Sequence, residues 1–393
     1  MGRVREGTIG ILPAGALGVS FFYYLTHRLT RNDGAVFFLE RAGSQSAGAR
    51  QERSEIRIAE ADVIHRVALV KIAAGDLLTA FEKMAWPEIA LLCPNPDQLP
   101  GILRTVVQSL ERLNEYGELT PDFELPTLVL AANGIYYQRL RQQFIERLEE
   151  STLLGRLPDL WPDFMPRIVG RLLRGVTIQT GVRDGDGADA VYHPGPRGIT
   201  RLAGGDQKVR ERACDVLRGR GAWFELARHS SATRLEFDKG MVNLTANLLG
   251  QLYAIDERGR FTPLRVREIV TPEHEAEIRQ LAQRVFDVGR AVKAYAADER
   301  FETVFAQMLE TTHQHDEHVP SSLQWINLRL RQGRLEVRLT PTEEWLLNPL
   351  IRYAHAAGLD ETAVFFEHLK ARNMAKLELA ARANLELRKP AKQ

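Results

Sequence analysis

One lysine and two asparagines recur at four-residue intervals in the segment FDKGMVNLTANLLGQL. Lys239, Asn243 and Asn247 share one stripe if this segment is helical, because residues four apart are neighbours on a helix surface. The positions around them, including Met241 and Leu244, are apolar, which is typical of a buried helix. Burial of three polar side chains is costly unless they have partners. The stripe therefore predicts a ligand or substrate site, and a partly exposed helix edge is the alternative.

A second segment whose residues could bind a ligand lies near the start of the chain, with the sequence TIGILPAGALGVSFFYYLT. Its pattern predicts a strand over Thr8–Leu12, a small-residue turn, and a helix over Ala16–Leu29. Gly15 and Gly18 occupy the second and third glycine positions of the dinucleotide-binding pattern G-x-G-x-x-G, while Pro13 occupies the first. The predicted contacts with the cofactor phosphates, made at the positive end of the helix, come from the loop residues Pro13, Ala14, Gly15, Ala16, Leu17 and Gly18. A buried strand–turn–helix without a ligand is the alternative.

The end of the next apolar run, AVFFLE, bears on the choice of cofactor. An acidic residue at this place accepts from a ribose 2′-hydroxyl, whereas a basic residue meets a 2′-phosphate. The chain has both, as Glu40 and Arg41, and the polar Ser44, Gln45 and Ser46 follow. The pair favours NADP through Arg41, with NAD as the alternative.

Apolar runs alternate with helical segments in the first half of the chain, which predicts βαβ units and a parallel sheet. The runs lie at Ala35–Glu40, Glu88–Pro94 and Thr127–Gly134, with further strand-like pieces in Ala188–Gly204. From Lys239 onward the pattern is helical, and Pro272 is well placed to begin one of these helices. We expect a dinucleotide-binding α/β Rossmann-type domain over residues 1–212. We expect an all-α domain over residues 213–393 that binds substrate or mediates dimerisation.

The composition argues against several functional classes. The formal net charge is +1 over 393 residues, so no strong field favours nucleic acid or a membrane surface. Two distant cysteines argue against a disulfide framework and fit a reducing compartment. No signal peptide or membrane span is recognisable in the sequence, so a cytoplasmic location is expected.

The run HQHDEH, His313 to His318, contains side chains that are able to bind zinc. It precedes a Pro-Ser-Ser turn, and such runs are usually solvated loops. We therefore predict no metal site.

Several segments, taken in order, resemble the ketopantoate reductases (2-dehydropantoate 2-reductases). The lysine stripe is similar to the family's K-x-x-x-N-x-x-x-N helix, and IGILPAGALG lies at the position of its cofactor loop. AANG, HVPSSLQWI and TEEWLLNPLIRYAHAAGL resemble its N-G, S-M-L-Q-D and T-E-x-D-x-x-N-G segments. The resemblance spans most of the chain, and several weak motifs in the right order are more specific than any one alone.

The resemblance implies a 6-phosphogluconate-dehydrogenase-like fold and a reductase that passes hydride from NADPH to a 2-keto acid. Lys239 would be the general acid, because a partly desolvated lysine is suited to that task near neutral pH. Asn243, Asn247 and Ser321 would bind the substrate. Glu343 would bind a substrate hydroxyl or position Lys239, and Asn133 would lie beside the nicotinamide. The resemblance also implies a homodimer.

The chain departs from the family pattern at four places: Pro13 in the loop, Asn95 near a family lysine, and Trp325 and Trp345 where the family has aspartate. These departures leave the substrate open, with a larger keto acid, or an imine as in the opine dehydrogenases, among the candidates. A nucleotide-binding scaffold without turnover is the alternative function.

Overall fold

The computed structural model describes residues 5–31, 33–40, 55–69, 71–73, 86–185 and 187–387. Arg41, the predicted contact of a 2′-phosphate, lies outside these residues, as do Ser44, Gln45 and Ser46. The chain divides into two compact units. The first comprises the residues up to Asn133 together with Tyr137–Ala232, and the second comprises Gly134–Tyr136 and the residues from Thr233 onward.

The strands that the structure describes lie in the first unit. They are β1 (Arg5–Leu12), β2 (Val36–Glu40), β3 (Glu55–Glu60), β4 (Val63–Ala68), β5 (Lys71–Ala73), β6 (Pro87–Leu92), β7 (Thr127–Leu130), β8 (Leu172–Thr177), β9 (Gly181–Asp184), β10 (Val191–Pro194), β11 (Thr200–Ala203) and β12 (Phe224–Leu226). Eight of those described form one sheet in the order β5-β2-β1-β6-β7-β8-β11-β12. Neighbouring strands are parallel except for β8 and β11, which are antiparallel. The predicted Rossmann-type sheet is confirmed.

The central strands are apolar because both of their faces are covered. Ile9 and Ile11 of β1 are fully buried, and every residue of β2 and β6 is buried or nearly so. The chain runs from β1 outward to β2 and later returns to pair β6 with the other edge of β1. This reversal creates a switch point at the carboxyl end of β1, which is where open α/β sheets bind ligands.

Helix α1 (Ala16–Leu25) follows β1, as predicted, but ends four residues before the expected Leu29. His27, Arg28 and Leu29 have φ values of 50°, 56° and 68°, in the left-handed region that a right-handed helix cannot use. The apolar pattern extends beyond the helix because Leu29 still packs against the core of the unit.

A second, four-stranded sheet in the order β4-β3-β10-β9 packs on α1. Tyr192 of β10 donates its hydroxyl hydrogen to Ala14 O at 3.0 Å. Tyr24 of α1 does the same to Gly195 O at 2.8 Å. The sequence pattern indicated strand-like pieces in Ala188–Gly204, which contain β10, but no separate sheet. Its strands are short and half-exposed, and β3 pairs with β10 far along the chain.

The other helices of the first unit are α2 (Leu99–Glu115), α3 (Tyr137–Glu149), α4 (Leu157–Leu160) and α5 (Gln207–Gly219), with a π turn at Met165–Val169. The predicted domain boundary at residues 212 and 213 falls inside α5. Arg212 of this helix forms a bidentate ion pair with Glu88 of β6, at 2.6 and 3.1 Å. The two compact units meet later in the chain, between Ala232 and Thr233.

In the described residues the second unit is helical, as predicted. Helix α6 (Ala232–Asn243) continues through a π segment (Leu244–Leu249) into α7 (Gly250–Ala254). The remaining helices are α8 (Val266–Ile269), α9 (Glu275–Ala291), α10 (Phe301–His313), α11 (Ser321–Gln332), α12 (Pro341–Ala356) and α13 (Asp360–Leu387). The core of the unit forms around Phe237, Met241, Leu244 and Leu248, all fully buried. No helix in the part of the chain that the structure describes is both long and apolar enough to cross a membrane.

Candidate active site

The predicted cofactor loop lies between β1 and α1, at the switch point of the sheet. Gly15 is the N-cap of α1, with extended backbone and no side chain to cap the helix. The first turn also contains no acidic residue. The first N–H groups of a helix have no partner within the helix, and the helix dipole favours an anion there. This helix end can therefore hold a phosphate.

The two glycines of the loop differ in the space around them. A Cβ atom on Gly18 would lie 2.1 Å from Pro13 O, so only glycine lets α1 pack this closely on the loop. A Cβ atom on Gly15 would meet nothing nearer than 3.8 Å, at Pro13 Cγ. Gly18 is thus required by the fold itself, whereas Gly15 leaves open space in front of the helix end.

The backbone of Ala14 is engaged within the protein. Its N–H donates to Glu40 Oε1 at 3.2 Å, and its carbonyl accepts from Tyr192. Pro13 has no N–H to offer. Among the predicted contacts, the backbone donors for a phosphate are therefore those that begin at Gly15.

Glu40 ends β2 and is 4% exposed, with its carboxylate against the loop. Asn133 follows β7 and is half-buried. Because β1, β2 and β7 are parallel strands of one sheet, the loop, Glu40 and Asn133 all lie at the same edge. Asn95, which follows β6 at that edge, is exposed and caps a short 3₁₀ turn.

The predicted polar stripe lies on α6 and the π segment of the second unit. Lys239 is half-buried, while Asn243 and Asn247 are each 7% exposed. The four-residue spacing continues once more to Gln251, which is 1% exposed and was missed. The signal was present in the sequence, since 239, 243, 247 and 251 are equally spaced.

Burial lowers the pKa of the Lys239 amine to about 8. Within the described part of the chain, no hydrogen bond or ion pair joins this amine to Asn243, Asn247 or Glu343. Its titratable neighbours are two histidines: burial and the charge of Lys239 together hold the pKa values of His315 and His318 below their usual range. An amine in this state is protonated at neutral pH and gives up its proton more readily than an exposed lysine.

The run His313–His318, weighed above as a zinc site, lies between α10 and α11. His313 contacts Asp316 at 3.0 Å, and both side chains are exposed. Across the residues that the structure describes, no group of three potential metal ligands comes together.

Asn247 is held by the first turn of α11. Its Oδ1 accepts from the Ser322 backbone N–H at 3.2 Å, from Ser322 Oγ at 3.1 Å and from Ser321 Oγ at 3.3 Å. With its oxygen engaged, the Asn247 side chain offers its NH₂ group as a donor. Asn247 and Ser321, each predicted to bind substrate, thus lie together, and Ser322, which was not predicted, supplies most of the contacts.

Glu343 lies in the first turn of α12 and is 1% exposed. Neither of its carboxyl oxygens has a hydrogen-bond partner among the described residues. Burial raises the pKa of this carboxyl to about 8, and the nearby Gln251 amide opposes that rise. At neutral pH the carboxyl is therefore mostly protonated and can donate a hydrogen bond.

No protein-family model and no curated protein matches the chain. Solved structures do match. A D-mandelate dehydrogenase crystallised with NADH and anilino(oxo)acetate has a TM-score of 0.63 at 15% identity, over 94% of this chain and 98% of that chain. A probable 2-dehydropantoate 2-reductase from Bacillus subtilis has a TM-score of 0.57 at 18% identity, over 94% and 99%. A dimeric ketopantoate reductase from Staphylococcus aureus has a TM-score of 0.55 at 14% identity, over 93% and 99%.

These likenesses define the class of fold: a Rossmann-type α/β unit followed by a helical unit. At this level the predicted resemblance to the ketopantoate reductases is confirmed, since their structures match over nearly the whole chain.

Proposed function

We propose that the protein is an NAD(P)-dependent oxidoreductase that reduces a 2-keto acid or a related carbonyl compound. The observation that carries the proposal is the polar stripe that begins with Lys239. Its amine has a lowered pKa and no polar partner in the described residues, and it shares a helix with the buried amides of Asn243 and Asn247. The similar D-mandelate dehydrogenase, crystallised with NADH and an oxo acid derivative, supports the same class of reaction.

The first unit supplies the features that a dinucleotide needs. The uncapped end of α1 would bind the pyrophosphate through backbone N–H groups, and the open space at Gly15 would admit it. Asn133 would hold the nicotinamide side of the molecule, at the same sheet edge. A bound nicotinamide supplies the hydride, while the protein supplies binding and orientation.

We expect NADH to be preferred to NADPH because of Glu40. Its buried carboxylate lies beside the loop, where an acidic residue accepts from the ribose 2′-hydroxyl. A 2′-phosphate at that place would meet a like charge. Arg41, on which the expectation of NADP rests, adjoins it in sequence, so NADPH preference is the competing outcome.

The Glu40→Ser variant tests this choice. Removing the carboxylate should weaken NADH binding about tenfold, a cost of about 1.4 kcal/mol, and should strengthen NADPH binding. Fluorescence titration of both nucleotides measures the two affinities. A preference for NADPH in the unmodified protein would show that Arg41 determines the cofactor.

The second unit supplies the groups for the carbonyl compound. Lys239 would protonate the carbonyl oxygen as the carbon receives hydride. The NH₂ groups of Asn243 and Asn247 would bind the carboxylate and carbonyl of the substrate. The Ser321 hydroxyl would join them by turning its hydrogen away from Asn247 Oδ1, which the two Ser322 donors still hold. Glu343, protonated at neutral pH, would donate to a further substrate oxygen or help to position Lys239.

One departure from the family pattern has a structural explanation. Trp325, which stands where the family has aspartate, packs against a satellite cluster that includes Ile255, Ile326 and Leu377. Its bulk is accommodated within the helical unit and so does not by itself favour a protein without turnover.

The proposal is tested by a panel of 2-keto acids, with and without an added amine, while the absorbance of NADH and NADPH is followed. The expected result is turnover that Lys239→Met lowers about 10²- to 10⁴-fold, with cofactor affinity unchanged. Turnover only with an amine would indicate an opine dehydrogenase. Cofactor binding without turnover on any carbonyl compound would indicate the scaffold alternative. We also expect a homodimer, which light scattering of the purified protein measures.

A further inference from the structure

Two buried polar side chains of the second unit lie close together and share an unusual condition. Gln251 and Glu343 are each 1% exposed, and all four of their side-chain polar atoms lack a hydrogen-bond partner among the described residues. A buried polar group without a partner is destabilising. Native structures contain few such groups, so two neighbouring ones need an explanation.

The Gln251 amide influences Glu343 although the two form no hydrogen bond of standard geometry. It favours the ionised carboxylate and so opposes the effect of burial on the pKa of Glu343. An oxygen atom placed between the two side chains would satisfy both, since each can donate and accept when the carboxyl is protonated. One buried water molecule with two to four polar partners meets this requirement.

Charged groups do not explain the state of Glu343. Helix α12 packs against α9, α13 and the π segment. On α13, Lys370 donates to Asn348 at 2.9 Å, and on α9, Arg284 donates to Thr362 at 3.1 Å. Neither these cations nor Lys239 contributes to the pKa shift of Glu343, which comes from burial, backbone groups and Gln251.

We propose that Gln251 is a positioning residue for Glu343: its amide, directly or through one water molecule, fixes the orientation of the carboxyl and stabilises its ionised form. Gln251 extends the stripe of Lys239, Asn243 and Asn247 by one more interval, so one helix carries both the proposed general acid and the group that controls the neighbouring carboxyl. A contribution of Gln251 to turnover rests on the proposed function, whereas its effect on the Glu343 carboxyl does not.

The test is an infrared difference titration of the purified full-length protein without cofactor or substrate. Exposed carboxyl groups ionise near pH 4, so a protonated carboxyl band that disappears only near pH 8 stands apart. Glu343→Gln should abolish this band and so assigns it. Gln251→Met, which keeps the length of the side chain without its amide, should move the midpoint to higher pH by about one unit.

Gln251→Asn provides a second variant should Gln251→Met fold poorly, because it keeps an amide but draws it back from Glu343. It too should raise the midpoint. The matched control is Thr245→Val, an isosteric change at a fully buried threonine of the π segment, whose hydroxyl contacts Met308 Sδ at 4.0 Å. It should leave the midpoint unchanged.

Equal midpoints in the unmodified protein and in a folded Gln251 variant would overturn the proposal. So would a spectrum in which Glu343→Gln removes no band near pH 8. Because the titration needs neither nucleotide nor carbonyl compound, its failure is distinguishable from a failure of the proposed oxidoreductase activity.

Discussion

Lys239 combines two properties that are rarely found together in a surface lysine. It is half-buried, with a pKa lowered to about 8, and no acidic partner in the described residues neutralises it. A structural lysine usually forms an ion pair or extends its amine into water. The environment of Lys239 instead suits an amine that exchanges its proton with a ligand near neutral pH.

The pH dependence of turnover follows from this pKa. Reduction of a carbonyl needs the protonated amine, so kcat/KM for reduction should fall as the pH rises through about 8. Oxidation of the corresponding hydroxy acid needs the neutral amine and should rise over the same range. Initial rates in both directions measure the two profiles. Profiles for reduction and oxidation that change in the same direction would contradict the assignment of Lys239 as the acid.

The Glu343 carboxyl ionises in the same pH range as the Lys239 amine, near pH 8, so a Glu343 variant is needed to separate the two ionisations. Its ionisation also removes activity at high pH if the neutral form donates to the substrate. Glu343→Gln keeps a neutral donor that cannot ionise, and the alkaline limb that remains in this variant reports on Lys239 alone.

Two elements form the proposed cofactor site, the loop after β1 and helix α1. Gly18 packs so closely on the Pro13 carbonyl that the fold has no room for a side chain there. Gly15, in contrast, has room for a Cβ atom. The two glycines are three residues apart, Gly15 at the N-cap and Gly18 in the first turn of α1, and so they form a matched pair for experiment.

We expect opposite consequences when each of these glycines becomes alanine. Gly15→Ala should lower the free energy of unfolding by no more than about 1 kcal/mol, since its backbone suits alanine, yet should weaken NADH binding at least tenfold. Gly18→Ala should destabilise the protein more, because the new methyl group overlaps backbone. Denaturant unfolding and nucleotide titration measure the two effects. Unchanged NADH affinity in Gly15→Ala would show that no phosphate approaches this residue.

The elements that could be predicted from the sequence are those with a strong local pattern. The apolar runs of β1, β2, β6 and β7 identify buried parallel strands, and the helical unit follows from its periodicity. The four-stranded sheet could not be predicted as a sheet, because its strands are short and half-exposed and its two local pairs, β3 with β4 and β9 with β10, join only through the pairing of β3 with β10, more than a hundred residues apart. The end of α1 was predicted too late because Leu29 is apolar. Its side chain packs against the core although its backbone is not helical.

The candidate site shows the same division between local pattern and tertiary structure. The spacing of Lys239, Asn243 and Asn247 was visible in the sequence, and so was Gln251, had the interval been extended once more. The role of Ser322 in holding Asn247 depends on how α11 meets the π segment, which spacing within one helix cannot reveal. The contact between Glu40 and the Ala14 amide likewise arises only when β1 and β2 pair.

For the whole molecule, each unit supplies a different part of the proposed reaction. The α/β unit offers a helix end, a buried acid and an asparagine at one sheet edge, which suits a dinucleotide. The helical unit offers an amine, amides and a protonated carboxyl, which suit a carbonyl substrate. The fold is shared with reductases and dehydrogenases over nearly the full chain. Because the sequence identities are only 14% to 18%, the proposed chemistry rests on the residues of this chain and not on the shared fold.

The proposed reaction requires that the loop with Pro13 bind a nicotinamide nucleotide. The most direct measurement is a fluorescence titration of the unmodified protein with NADH and, separately, with NADPH. We predict that NADH binds with a micromolar Kd and more tightly than NADPH. If neither nucleotide binds at millimolar concentration, the protein is not the proposed oxidoreductase, and its fold serves another purpose.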